Sequence, residues 1–224
     1  MSVEHTNLGA LQTRIAEFYE TPVPFSVDDY LTTEWCFPTP NVEAELKTNE
    51  MLLFRETDEG LDISLFIEAA VIDNLCDTNT DRLLDPGNID DLLVALEGVS
   101  HFQYLVWNAC YEKNITLFEL ELQAEIDKYV SVAMLYAERG GGEIPSDLHE
   151  RLFEEVRFRP QKSQEVYKRY EDANFYAGKY CRDLKNTFPG HHQERAFISE
   201  LRRFYRMSRN DKVRHIKSPA RRLR

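Results

Sequence analysis

The 224-residue chain is poor in most of the features that announce a specialised class. It has four cysteines, Cys36, Cys76, Cys110 and Cys181, far apart and with no CxxC pair. Free thiols in a reducing cytoplasm are the simplest account of them. Its nine glycines form no GxGxxG and no GxxxxGK[ST], and neither HExxH nor GxSxG occurs. Dinucleotide, phosphate-loop, zincin and serine-hydrolase chemistry thus lack their usual supports. No apolar run approaches 18 uncharged residues, and MSVEHTNLGALQTRIAEF lacks a basic-then-apolar leader pattern, so neither a membrane span nor export is expected. Basic residues are scarce in the first 100 positions, with four Lys or Arg against 21 acids.

The missing positive charge is concentrated at the other end. Residues 1–100 carry a net −17 and residues 101–200 a net −4, whereas residues 201–224 hold ten Lys or Arg against one acid, Asp211, for a net +9. The chain is electrically polarised along its length. Its total of −12, with 42% hydrophobic and 29% charged residues, is ordinary for a globular protein of one domain. That domain is read over residues 1–200, with 201–224 as a basic helix end and tail.

The most periodic stretch is Ile89 to Arg139, which predicts two long antiparallel helices. Asn88, after Asp85-Pro86-Gly87, offers a cap for the first. At 100° per residue, Leu92, Ala95, Leu96, Val99, Phe102, Val106, Trp107 and Cys110 share one stripe that reads as core. Thr116 followed by Glu119 is a capping box opening the second helix, which buries Phe118, Leu122, Ile126, Tyr129, Val132, Ala133 and Tyr136 on one face.

Before this pair the period changes to two. Met51-Leu52-Leu53-Phe54 and Leu61 to Ile67, separated by a turn containing Gly60, predict a β-hairpin within residues 43–67. Two strands alone are marginal, so a third is expected from Val42 to Leu46 or the hairpin must lie on the helices. After the pair, Asp147 reads as the cap of a short helix, Gln161 to Lys185 as a long one, and His192 to Arg209 as a last one. Residues 210–224 are expected to be loosely held or to need a partner. The fold class is α+β, predominantly α-helical: a bundle built on the long helix pair with a small N-terminal hairpin.

Two polar features interrupt the helix pair. Glu97, His101, Tyr104 and Asn108 stand at i, i+4, i+7 and i+11, a polar seam opposite the stripe and most simply a partly solvated face. Glu125 projects from the apolar face of the second helix, with Glu121 and Lys128 at its edge. An isolated buried carboxylate costs several kcal/mol, so Glu125 must be paired, protonated or led to water. An ion pair with Lys128, or with an arginine from a later helix, is the plain reading. The sharper reading joins Glu97, His101, Tyr104, Glu121 and Glu125 in one pocket able to hold a divalent metal or to divide acid and base roles. Their spacing, ExxxH and ExxxE, departs from the Glu-x-x-His pairs of ferritin-like di-iron bundles. The acidic run Asp77, Asn79, Asp81, Asp85 lacks the glycine and terminal glutamate of a calcium loop. No metal is assigned from the sequence.

Three functions follow. The first is a cytosolic, non-enzymatic interaction or regulatory protein in which Arg202, Arg203, Arg206, Arg209, Lys212, Arg214 and Lys217 engage an acidic protein partner, a twin subunit or an acidic face of the same chain. The second is an enzyme or ligand-binding protein using the Glu/His/Tyr pocket. The third is nucleic-acid binding through the same basic cluster, against which the acidic remainder of the surface would act at range.

Overall fold

A computed structural model describes residues 8–33, 48–58, 60–79, 82–139, 143–156, 163–188 and 195–218. In chain order the elements are α1 (Leu8–Tyr19), a 3-10 turn (Val27–Tyr30), β1 (Leu31–Thr32), β2 (Glu50–Thr57), β3 (Gly60–Ile67), α2 (Ala69–Asp77), α3 (Ile89–Cys110), α4 (Leu117–Glu138), α5 (Leu148–Phe153), α6 (Gln164–Thr187), α7 (Arg195–Tyr205) and α8 (Arg209–Lys217). The protein is mostly helical with one small sheet, as the periodicities predict.

The α3–α4 pair is the framework. Glu97 meets Lys128, Ser100 meets Asp127 and His101 meets Glu121, so positions ascending in α3 face positions descending in α4, which makes the helices antiparallel. The capping box opens α4 as expected: Thr116 N donates to Glu119 Oε2 at 2.9 Å, and Glu119 N donates back to Thr116 Oγ1 at 3.3 Å. α3 differs from its expected stripe. From Gly98 to Asn108 every residue is buried, because α1 and the sheet cover the face opposite α4. The polar seam is therefore inside the protein, apart from Glu97 at its edge.

Several expected boundaries shift. Cys110 is exposed rather than core, because the last turn of α3 runs out past its neighbours. Asn88 stands at the cap position of α3 but donates to the Arg82 carbonyl instead of capping, and Asp147 likewise makes no side-chain cap bond to α5. The third strand is β1, paired in parallel with β3 through Leu31 opposite Leu65; Val42 to Leu46 lie outside the described residues. The hairpin pairs Leu52 with Leu65 and Phe54 with Ile63, antiparallel.

The sheet closes on α3 at Gly98. A Cβ there would lie 3.0 Å from the Glu50 side chain, 3.1 Å from that of Leu65 and 3.2 Å from that of Ile67. The bare backbone thus lets β2 and β3 approach α3, which brings Glu50 beside His101. α6 covers the far side of α4, with Ala173, Ala177 and Cys181 buried between the helices.

The C-terminal segment is not a loose tail up to residue 218. α7 ends at Tyr205, and Ser208 caps a further helix, α8, whose Lys212 and Ile216 are wholly buried. Tyr205 stacks on Tyr19 at 4.2 Å and Phe204 on Tyr180 at 4.0 Å between ring centres, tying α7 to α1 and α6.

Candidate metal centre

Helical spacing divides the expected polar pocket in two. On α3, His101 is one turn on from Glu97, while Tyr104 is one turn on from Ser100. On α4, Glu121, Glu125 and Lys128 share one face, and Gln123 and Asp127 another. The first group of each helix turns toward β2 and α6, the second toward α1 and α8. Glu97, His101, Glu121 and Glu125 therefore gather on one side, and Tyr104 is placed in a different cluster.

The first cluster contains Glu50 from β2, Glu97 and His101 from α3, Glu121, Glu125 and Lys128 from α4, and Arg169 from α6. His101 Nδ1 is 3.3 Å from Glu50 Oε1, and its Nε2 is 3.6 Å from Glu121 Oε2. Arg169 Nε approaches Glu121 Oε1 at 3.7 Å. Lys128 Nζ donates to Glu125 Oε1 at 2.7 Å and to Glu97 Oε2 at 3.1 Å. Glu125 is thus answered by Lys128, the plainer of its two readings, and the later-helix arginine serves Glu121 instead.

Two observations set this cluster apart from an ordinary ion-pair network. Glu97, His101 and Glu121 each offer a ligand atom, and the three atoms lie within 4.8 Å of one another, the one such group among the described residues. In addition, His101 Nε2 and Arg169 Nε are buried with no hydrogen-bond partner. Buried polar nitrogens are rarely left so, because each forfeits its solvation.

The charges do not balance either. Four carboxylates face two permanent cations, Lys128 and Arg169, leaving two negative charges for His101 to answer. Burial pushes the Glu50 carboxyl up, and Glu97 and Glu121 add to this while His101 opposes it. Burial likewise raises Glu125, against the pull of Lys128. For His101 burial favours the neutral ring, but Glu50 and Glu121 outweigh it and hold the imidazole well above its usual value. Lys128 is raised too, since Glu125 and Glu97 overcome its desolvation. Tyr170, on α6, is pushed up to about 12 by burial and by Glu121.

The second cluster is more deeply buried and fully bonded. Asp127 accepts from Tyr19 Oη at 2.6 Å, Ser100 Oγ at 2.6 Å and Gln123 Nε2 at 2.8 Å. Lys212 Nζ donates to Gln123 Oε1 at 2.8 Å and to Tyr104 Oη at 3.0 Å, so the carboxylate and the ammonium are linked through one amide. Desolvation brings the Lys212 ammonium down to about 7, although Glu119 and Asp127 pull the other way. Lys212 is buried completely and is not a solvent-facing contact.

The other basic residues of the C-terminal segment are largely engaged by their own chain. Arg202 Nε donates to Phe18 O at 2.8 Å, and an Arg206 nitrogen donates to Tyr19 O at 2.9 Å and Glu20 O at 3.0 Å. These are carbonyls at the C-terminus of α1, which have no intrahelical donors. Arg203 pairs with Glu200 and Arg214 with Asp211, while Arg209 lies over the Phe118 ring and Lys217 over Tyr176. Sequence reasoning missed Glu50 and Arg169 at the first cluster and Asp127 at the second. Comparison of the chain with protein-family models, with curated proteins and with solved structures finds no match.

Proposed function

We propose that the protein binds one divalent transition-metal ion through Glu97, His101 and Glu121, with Glu50 and Glu125 as flanking carboxylates. The observation that carries this reading is the buried His101 Nε2, which makes no hydrogen bond and stands 3.6 Å from Glu121 Oε2 inside a three-ligand group. Ligand atoms bound at about 2.0–2.2 Å around one metal stand about 3.0–3.5 Å apart. His101 Nε2 and Glu121 Oε2 are already 3.6 Å apart, and all three ligand atoms lie within 4.8 Å, so closing the group asks for side-chain movement on the order of 1 Å. One imidazole with hard oxygens suits manganese, iron, cobalt or zinc better than calcium.

Three protein ligands leave coordination positions for water or a substrate, the arrangement of a catalytic rather than a closed structural site. At such a site Tyr170 and Arg169 would stand beside the metal and orient whatever binds it. Association with an acidic partner through the C-terminal basic residues has less support, since Lys212 is buried and Arg202 and Arg206 cap α1.

Chelator-treated full-length protein titrated with Mn²⁺, Co²⁺ and Zn²⁺ should bind one equivalent, raise its thermal midpoint, and with Co²⁺ develop visible absorption bands. His101→Asn and Glu121→Gln should each weaken binding at least tenfold while circular dichroism stays unchanged. Absence of binding with all three ions, or equal binding by the His101→Asn protein, would overturn the proposal.

A further inference from the structure

At the opposite end of the α3–α4 pair, where the two helices meet the start of α8, lies a cleft of about 520 Å³. Its wall includes Tyr104, Lys113, Thr116, Glu119, Arg206 and Arg209. The charge here runs against the rest of the molecule. In a chain of net −12, three cations converge on this cleft, and none of the three has a carboxylate partner among the described residues. All three lie over aromatic rings, and Arg206 also donates to the carbonyls that it caps at the end of α1. Lys113 Nζ is 4.8 Å from the centre of the Trp107 ring, the Arg206 guanidinium 5.6 Å from the same ring, and the Arg209 guanidinium 5.2 Å from that of Phe118.

Glu119 is the opposing acid, and it is already occupied: its Oε2 accepts from Thr116 N and Thr116 Oγ1, both at 2.9 Å. Behind the wall, Lys212 bonds the Tyr104 hydroxyl. Ser208, Arg209 and Asn210 also line the cleft, so the positive end of the nine-residue α8 opens into it. The volume is in the range that encloses a small organic ligand rather than a bare ion.

We propose that this cleft binds a phosphate group, with Lys113 and Arg209 as its principal cations and the Arg206 guanidinium adding positive charge beside them. The assignment rests on the cleft and its charges and is independent of the metal reading. Rings fix Lys113 and Arg209, and a ring and backbone carbonyls fix Arg206, in each case without a carboxylate that would neutralise the charge. Arginine's forked donors suit phosphate oxygens, and lysine supplies a point charge.

The Trp107 ring carries two of the three cations, so its fluorescence should report occupancy. In a Trp35→Phe background Trp107 is the one remaining indole. Titration of the full chain with pyrophosphate, inorganic phosphate and ribose 5-phosphate, at ionic strength held constant with sodium chloride, should give a saturable change. The Lys113→Gln/Arg209→Gln double variant should weaken it at least tenfold with its thermal midpoint unchanged, because both residues are exposed. Tighter binding of ribose 5-phosphate than of inorganic phosphate identifies a phosphorylated metabolite, and equal binding identifies free phosphate; both support the site. A change that does not saturate, that sodium chloride alone reproduces, or that survives in the double variant overturns the proposal. So does a single-stranded oligonucleotide that binds more tightly than every small anion and tightens with length, which would assign the surface to nucleic acid.

Discussion

Gly98 on α3 and Glu50 on β2 are in a contact that leaves no room for a side chain, since a Cβ on Gly98 would stand 3.0 Å from Glu50 Cγ. The glycine thereby sets how near the Glu50 carboxylate comes to His101. Gly98→Val should push β2 and β3 away from α3, because Leu65 and Ile67 are fully buried and have no space to give. Overpacking of this kind costs about 1–3 kcal/mol. Calorimetry should record a drop of several degrees in the thermal midpoint, and Co²⁺ affinity should fall with it. A variant as stable as the parent would show that the sheet slides without cost.

Lys128 holds Glu125 and Glu97 together. Lys128→Met leaves two carboxylates without their cation, and breaking a buried pair in this way costs about 3–5 kcal/mol. Glu97 keeps 28% of its side-chain surface, so a loss of about 2–4 kcal/mol is expected here. The Lys128→Met/Glu125→Gln protein should recover more than half of that in urea unfolding. Failure to recover would mean that Lys128 acts through packing rather than charge.

The buried ammonium of Lys212 gives the fold a pH dependence with a definite sign. Burial holds it at about 7 in the folded protein, against about 10.4 in an unfolded chain. Between these values the unfolded state binds more protons, so the contribution of this group to stability rises with pH from about 7 to about 10 and is flat below. About three units correspond to a ceiling on the order of 4 kcal/mol. Urea unfolding at pH 7 to 9.5 should show the parent gaining on Lys212→Met throughout that interval, and parallel curves would refute the assignment.

Arg202 and Arg206 act as caps for α1. Each hydrogen bond from a charged donor to a carbonyl contributes about 1.5–3 kcal/mol. Arg206→Ala should therefore destabilise the protein by about 2 kcal/mol and speed amide exchange in α1 and α7 before it affects α3 or α4. Uniform acceleration across all helices would contradict this local role.

The helix pair, its capping box and the β-hairpin were legible in the sequence because each writes a local signal: a period of 3.6, a Thr-x-x-Glu spacing, a period of two around Gly60. The ion pair that answers Glu125 was also legible, since Lys128 stands one turn away on the same helix. What did not show was the division of the seam between His101 and Tyr104. Their i, i+3 spacing reads as one face, but Glu97–His101 and Ser100–Tyr104 run in separate rows, and the docking of α1, α8 and the sheet on different sides of α3 sends those rows to different clusters. Glu50 carried no warning, being one more acid in a half with 21, and nothing local marks Gly98 as the reason it reaches His101. The positive charge of the C-terminal segment misled for a related reason. Composition counts Lys212 with the surface residues, whereas its rise into the core depends on Gln123 and Tyr104, which lie 89 and 108 positions away.

Those two separations have a bearing on how the protein assembles. The α3–α4 hairpin can form from neighbouring sequence, yet it then presents an open polar slot around Asp127 until α8 arrives and inserts an ammonium. Closure of that slot joins parts of the chain 89 and 108 positions apart, so it carries a loop-closure entropy that the hairpin does not. A polypeptide cut short after Tyr205 would hold a nearly complete bundle in which Gln123 Oε1 and the Tyr104 hydroxyl lack the ammonium that joins them.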